Sequence, residues 1–157
     1  MEKELNTPKA LRLHIGVFGR TNVGKSTLVN YISGQDTSIV SSVAGTTTDS
    51  VYKSMELSPL GPVTLIDTAG IDDISNLSKE RIERTTKVFD STDVAIIVLA
   101  PNIWTEYENN IIEQLINKRT PFLFVINNYK KEKLSEKFIK QILQYNFNLL
   151  LIFILKF

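Results

Sequence analysis

The segment GRTNVGKS, residues 19–26, constrains this chain more than any other feature, because it matches the pattern G-x-x-x-x-G-K-S/T. It follows LRLHIGVFG (11–19), a β-branched and aromatic run that predicts a buried strand. A short helix is predicted directly after it, over 25–33, with Gly34 as its stop. A strand, a glycine-rich turn and a helix in this order favour a phosphate-binding loop over a chance turn.

The chemistry of such a loop assigns a role to each residue type. Gly19 and Gly24 permit backbone angles that side chains forbid, so the loop N–H groups can turn toward a β-phosphate at the helix N-terminus. Lys25 is placed to bridge β- and γ-phosphate oxygens, and Ser26 to ligate Mg²⁺. The residues expected to bind the nucleotide phosphates in this loop are Gly19, Asn22, Val23, Gly24, Lys25, Ser26 and Thr27.

A second motif, LIDTAG (65–70), ends a predicted strand with Asp67. Asp67 is expected to meet the Mg²⁺ shell through water, and the Gly70 N–H to sense the γ-phosphate, so that the following loop responds to hydrolysis. The alternative, an ordinary Asp turn at a strand end, is disfavoured beside a phosphate loop. Between the two motifs, VAGTTTDS (43–50) offers threonine hydroxyls to the same shell, and the residues alone do not decide which one serves.

Strands alternate with helices along the rest of the chain, which predicts an α/β fold. VYKSMEL (51–57) and VTLID (63–67) predict an antiparallel hairpin, and the stretch 35–49 lacks any hydrophobic period and predicts a loop. The further predicted elements are helix 78–90, strand 93–100, a helix opened by the capping box Thr105–Glu108, strand 121–127, a helix within 131–145 and a final strand at 149–155. We expect a mostly parallel six-stranded sheet with one antiparallel strand and helices on both faces.

Composition excludes several classes of function. With 22% charged residues and a formal net charge of +1, the chain has no electrostatic signature for nucleic acid or an acidic membrane. It has no cysteine, so no disulfide, thiolate nucleophile or thiolate-held iron–sulfur cluster is expected. The start lacks a signal-peptide apolar region, and the longest apolar run, LLLIFIL, is too short to span a bilayer. We therefore expect a cytoplasmic protein with no nucleic-acid or membrane partner.

Taken together, GRTNVGKS, GTTTD and DTAG resemble the motifs of the translation-factor-type P-loop GTPases, in the branch that includes TrmE, Era and EngA. Within that branch, the stretch from GTTTD through VYKSMEL and PLGPV to LIDTAGIDD is similar to the GTPase domain of the FeFe-hydrogenase maturation factor HydF. The resemblance is dense over residues 11–100. It implies GTP and GDP as ligands, Mg²⁺ as cofactor, and slow GTP hydrolysis as a molecular switch in hydrogenase maturation.

The resemblance also assigns residues. Thr47 matches the Mg²⁺ ligand of the first switch loop, with Thr46 beside it, so that Ser26, Thr47 and Asp67 form the Mg²⁺ set. Asn22 matches the asparagine that seats K⁺ in cation-activated members. The implied catalytic residues are Lys25, Thr47 and Gly70.

Ile71 stands where Ras-type proteins have a catalytic glutamine, so another group must position the attacking water. Glu80 and the pair Asp72–Asp73 are candidates for this role, although a solvated loop and helix start is the favoured interpretation of these acids.

The division of the chain follows from the same resemblance. Residues 1–10 predict a flexible leader, and 11–157 a GTPase domain that lacks the closing C-terminal helix of the branch and is therefore C-terminally truncated. The resemblance implies that whole proteins of this family add a dimerisation domain and a cluster-binding domain, and we expect neither within these 157 residues. The implied partners are a second copy or hydrogenase-maturation proteins that contact the switch loops.

The segment NNYK (127–130) occupies the position of the guanine-reading motif Asn-Lys-x-Asp and departs from it. Asn127 matches, whereas Asn128 replaces the lysine and Lys130 the aspartate. An ammonium offers donors only and opposes the guanine donors, at a cost on the order of several kcal/mol. ATP is therefore not excluded. Three interpretations stay open: a GTPase, a nucleotide-controlled interaction module with negligible turnover, and a domain that has lost tight nucleotide binding.

Three remaining features predict structure rather than chemistry. His14 lies in the first strand without a second ligand type near it, and Trp104 precedes a helix cap as a packing anchor. KKEK (130–133) has no aromatic residues suited to base stacking and is interpreted as a solvated helix start.

Overall fold

The computed structural model describes residues 11–34, 39–43, 51–68, 79–127, 130–145 and 153–155. Within these ranges the chain forms seven strands and four helices. In chain order they are β1 (Leu13–Phe18), α1 (Lys25–Gly34), β2 (Ile39–Val43), β3 (Val51–Leu57), β4 (Gly61–Asp67), α2 (Lys79–Ser91), β5 (Val94–Leu99), α3 (Glu106–Asn117), β6 (Phe122–Asn127), α4 (Glu136–Leu143) and β7 (Phe153–Leu155).

All seven strands belong to one sheet in the order β2-β3-β4-β1-β5-β6-β7. β1 pairs in parallel with β4 and β5, and β6 pairs in parallel with β5 and β7. β3 runs antiparallel to both β2 and β4, so it is the one reversed strand among the described elements. The predicted α/β class and its mostly parallel sheet are confirmed.

The loop predicted over 35–49 is wrong at residues 39–43, because these residues form the edge strand β2. β2 pairs with β3 through a register shift between Ile39 and Ser41, and it brings the sheet to seven strands rather than six. The segment IVSSV is too short for a clear alternation of apolar and polar residues, so its backbone pairing with β3 decides its conformation.

Side chains alternate between the two faces of the sheet and form two cores. On one face, Ile15 and Val17 of β1 pack with Leu28 and Val29 of α1. On the other, Phe18 stacks on Phe89 of α2 with ring centroids 4.7 Å apart. That second core also takes buried residues from α3 and α4, namely Ile111, Ile112, Leu115, Phe138 and Ile142. Helices therefore cover both faces, as predicted.

The predicted capping box of α3 and the predicted packing role of Trp104 are confirmed, and α4 has a cap that was not predicted. Thr105 and Glu108 form the capping box of α3, and Ser135 caps α4 by accepting a hydrogen bond from Phe138 N at 3.2 Å. Trp104 stacks on Tyr145 at 5.8 Å between ring centroids, which confirms it as a packing residue.

The strand position predicted for His14 is confirmed, whereas residues 130–133 precede α4 rather than start it, and the predictions for residues 1–10 and 149–152 lie outside the described residues. His14 lies in β1, where its backbone N–H donates to Asp93 Oδ2 at 2.8 Å, and residues 130–133 are exposed. Among the helices of the described residues, none has the length and hydropathy needed to cross a membrane.

Candidate functional site

Three segments that follow or end parallel strands meet at one edge of the sheet. The loop 19–26 follows β1, Asp67 is the last residue of β4, and Asn127 is the last residue of β6. Parallel register produces this meeting, because Val17 of β1 pairs with Asp67. The carboxyl edge of a parallel sheet is where α/β proteins bind ligands.

The two loop glycines are required by geometry. Gly19 has φ +145°, and a Cβ there would lie 2.4 Å from the backbone oxygen of Val98. Gly24 has φ +104°, and its Cβ would lie 2.4 Å from Asn127 Nδ2. Both angles are rarely adopted by residues with side chains. The loop is thus pressed against β5 at one end and against the end of β6 at the other.

Lys25 begins α1 and is only 5% exposed. Its ammonium donates to the carbonyl oxygens of Gly19 at 2.6 Å and Arg20 at 2.7 Å. The loop carbonyls therefore take the place of water around the Lys25 ammonium. This ammonium lies at the N-terminus of a helix, a position that also favours a bound anion. Phosphate oxygens are stronger acceptors than carbonyls and could replace these contacts.

Ser26 and Asp67 join the loop to β4. The Ser26 hydroxyl donates to Asp67 Oδ2 at 2.6 Å. Asp67 is 5% exposed, and its Oδ1 is buried with no hydrogen-bond partner in the described part of the chain. An orphaned carboxylate oxygen is costly, which makes this atom a candidate ligand for a cation or a water.

Asn127 ties the end of β6 to the loop. Its Nδ2 donates to the carbonyl oxygen of Val23 at 2.9 Å, and its Oδ1 is buried without a partner among the described atoms. Val23 is itself 7% exposed and packs in the core around α1. The phosphate loop and the segment in the position of the guanine-reading motif are thereby held at a fixed separation.

The structure places the remaining predicted residues as follows. Asn22 is exposed, with φ +60°, a left-handed angle that asparagine tolerates better than most residues. Thr27 is exposed in the first turn of α1, and Lys130 is exposed beyond β6.

Several predicted residues lie outside the described residues and stay predictions. These are Thr46, Thr47, Gly70, Ile71, Asp72, Asp73 and Asn128, together with the side chain of Glu80.

Sequence reasoning missed a second contact of the loop, with the first turn of α3. Arg20 Nε lies 2.6 Å from Glu108 Oε1, and the Tyr107 hydroxyl donates to the Gly19 carbonyl at 2.9 Å. Each contact spans 88 residues, so no local pattern could have revealed it. The capping box did mark Glu108, but only as a partner within its own helix.

The family described as 50S ribosome-binding GTPase matches residues 14–128. The chain belongs to this family. It is 34% identical over 131 residues to GTPase Der of Sulfurimonas denitrificans, a match that covers 81% of this chain and 26% of the relative. It is 34% identical over 128 residues to the tRNA modification GTPase MnmE of Clostridioides difficile, covering 80% and 28%. The chain thus spans under a third of the length of these relatives, as a P-loop GTPase domain.

Solved structures agree on the fold of this GTPase domain. An Era variant of Aquifex aeolicus bound to GDP and AlF4⁻ matches with a TM-score of 0.66 at 23% identity, covering 88% of this chain and 50% of that one. Era in complex with MgGDPNP and a segment of ribosomal RNA matches with a TM-score of 0.65 at 24% identity, covering 88% and 49%.

The Gly24 geometry generates a testable prediction. We expect Gly24→Ala to weaken GDP binding by about tenfold or more, because a side chain at φ +104° is strained and displaces Asn127 from Val23. Fluorescence titration with a GDP analogue measures this effect.

Gly34→Ala is the matched control, since a Cβ there meets nothing within 4 Å. It should leave affinity unchanged. Equal affinities of the two variants would contradict the role given to Gly24.

Proposed function

We propose that this GTPase domain binds guanine nucleotide and hydrolyses GTP slowly with Mg²⁺, as a molecular switch. The observation that carries the proposal is the hydrogen bond of 2.6 Å between Ser26 and Asp67. This hydrogen bond joins the two residues that we expect on the Mg²⁺ side of the site, one from the loop and one from β4. They meet at the start of α1, the helix that begins with Lys25. The residues after Asp67 would then respond to the γ-phosphate.

The residues present fit Mg²⁺. Ser26 offers a hydroxyl and Asp67 a carboxylate with an unpartnered buried Oδ1, and both are oxygen ligands of the kind that Mg²⁺ prefers. Once bound, Mg²⁺ would supply charge neutralisation at the phosphate oxygens. The similar Era structure that contains MgGDPNP supports the same cofactor.

Lys25 supplies the second positive charge. Its ammonium, held by the carbonyls of Gly19 and Arg20, would also reach the β- and γ-phosphates.

For Asn22, we propose K⁺ as the neighbouring cation, on the motif resemblance and on the exposed position of this residue. Turnover in potassium against sodium salts measures that contribution.

Asp67→Asn tests the Mg²⁺ site. The amide keeps the shape and one acceptor but removes the charge. The ratio of GDP affinity with Mg²⁺ to GDP affinity without Mg²⁺ should therefore fall by about tenfold or more, which corresponds to roughly 1.4 kcal/mol of binding free energy. Titration of a fluorescent GDP analogue in MgCl₂ and in EDTA gives the ratio.

Asp93→Asn is the control, because Asp93 accepts its hydrogen bond from His14 N, at the opposite end of β1. An unchanged effect of Mg²⁺ on GDP affinity in Asp67→Asn would contradict the assignment of Asp67 to the Mg²⁺ site. No Mg²⁺-dependent binding of GTP, GDP, ATP or XTP by the unaltered chain would overturn the function itself.

A second candidate function is a nucleotide-controlled interaction module with relaxed base selectivity and negligible turnover. The exposed Lys130 favours it, because an ammonium stands where an acidic acceptor would pair with guanine. Asn127, three residues before Lys130, is hydrogen-bonded to the loop through Val23.

Restoring the guanine motif distinguishes these candidates. The double change Asn128→Lys and Lys130→Asp should raise the preference for GTP over ATP by about tenfold or more, because guanine donors regain a charged acceptor. Competition binding of GTP, ATP and XTP measures it. An unchanged preference for GTP over ATP in the double variant would mean that residues 127–130 do not contact the base.

We further propose that the domain serves hydrogenase maturation in a HydF-type protein, through switch loops that contact a second copy or maturation partners. The support is the sequence resemblance over GTTTD, VYKSMEL, PLGPV and LIDTAGIDD. A HydF in which this domain replaces the native GTPase domain should still activate hydrogenase in a maturation-deficient host. A Der domain placed in the same position is the control, and equal activation by both would remove the specific assignment.

A further inference from the structure

The first turn of α3 contacts the two residues that begin the phosphate loop. The guanidinium of Arg20 makes two contacts with the Glu108 carboxylate, 2.6 Å from Nε to Oε1 and 2.8 Å from Nη2 to Oε2. Nη2 also contacts the Thr105 hydroxyl. One position before Glu108, the Tyr107 hydroxyl donates to the Gly19 carbonyl at 2.9 Å. The helix thus holds the start of the loop through both a side chain and a backbone oxygen.

The same two loop residues hold the Lys25 ammonium. Its Nζ donates to the carbonyl oxygens of Gly19 at 2.6 Å and Arg20 at 2.7 Å, and Lys25 is 5% exposed. An ammonium has three donors, so it can serve these carbonyls and a phosphate together. Two acceptors on one ammonium also fix its direction. The conformation of residues 19 and 20 therefore determines where the positive charge of Lys25 lies.

The two oxygens of Glu108 have different partners. Oε2 accepts from the Thr105 backbone N–H at 2.7 Å, the bond that completes the capping box of α3. Oε1 accepts from Arg20 Nε, a contact that the capping box does not need. Glu108 is 3% exposed, so its charge requires a cation, and the two-point contact fixes the orientation of that cation as well. The capping box accounts for one oxygen of Glu108, and Arg20 accounts for the other.

We propose that Glu108 is a positioning residue for nucleotide binding: through Arg20, it holds the start of the phosphate loop in the conformation whose carbonyls direct the Lys25 ammonium toward the phosphates. Tyr107 supports the same conformation at the Gly19 carbonyl. The proposal rests on the proposed function, because it takes Lys25 as a phosphate ligand. It requires no contact of Lys25 to break when nucleotide binds.

Glu108→Gln separates the two tasks of this side chain. The amide oxygen can still cap Thr105, but the NH₂ group faces the N–H groups of Arg20, so the two-point contact is lost while α3 stays capped. GDP affinity should fall by about fivefold or more, in a titration with a fluorescent GDP analogue. Glu106→Gln is the matched control, because it makes the same change at an exposed position of the same turn, and it should leave GDP affinity unchanged. Equal GDP affinity in Glu108→Gln and the unaltered protein overturns the proposal.

Proton exchange in the nucleotide-free protein tests the link to Lys25 directly. With ¹⁵N-labelled lysine and tryptophan, exchange of the Lys25 ammonium protons with water should be faster by about tenfold or more in Glu108→Gln, and unchanged in Glu106→Gln. Lys25→Met identifies the Lys25 signal by its loss. Trp104, the one tryptophan of the chain, donates its indole N–H to Asn109 Oδ1 at 2.8 Å beside the same turn, and its exchange rate should stay constant. Equal acceleration of both signals would mean that Glu108 only supports the turn, and would contradict the proposal.

Arg20→Lys is a second variant, which tests the proposal even where Glu108→Gln does not fold. It keeps a cation beside the buried carboxylate but lacks the planar fork that makes two contacts. Lys25 exchange should rise and GDP affinity should fall, each by less than in Glu108→Gln. No change in either quantity would refute the role of the ion pair. If the unaltered chain bound no nucleotide, the proposed function would fail, and the exchange rates would still decide whether Glu108 positions Lys25.

Discussion

The parallel pairing of β1 with β4 and β5 is the constraint on which the site depends. Register brings Val17 opposite Asp67, so the phosphate loop begins beside the carboxylate that ends the neighbouring strand. On the other side of β1, β5 approaches Gly19 so closely that the Val98 carbonyl excludes a side chain. A sheet with another strand order would separate these groups, because only adjacent parallel strands end at the same edge.

Most polar groups of the site are hydrogen-bonded to one another within the described residues. Lys25 is held by loop carbonyls and Ser26 by Asp67. The exceptions are the Oδ1 atoms of Asp67 and Asn127, which are buried and have no partner among the described atoms.

The two halves of the site stand in contrast. On the phosphate side, Gly19 and Gly24 have positive φ angles, and the Lys25 ammonium donates to the Gly19 carbonyl. On the base side, Asn127 keeps its bond to Val23, and Lys130 brings a donor where an acceptor is expected. Asn127 therefore also supports the phosphate side of the site, through its hydrogen bond to the loop.

By itself, the sequence determined the fold class, the phosphate-loop motif and the capping box of α3, because each depends on residues close together in the chain. GRTNVGKS follows its strand directly, and Thr105 finds Glu108 within one helical turn. Tertiary structure alone decided that residues 39–43 form an edge strand, and that Arg20 pairs with Glu108 across 88 residues. Local patterns record periodicity and capping. Long-range hydrogen bonds depend on how strands and helices pack, and a single sequence carries no spacing rule for them.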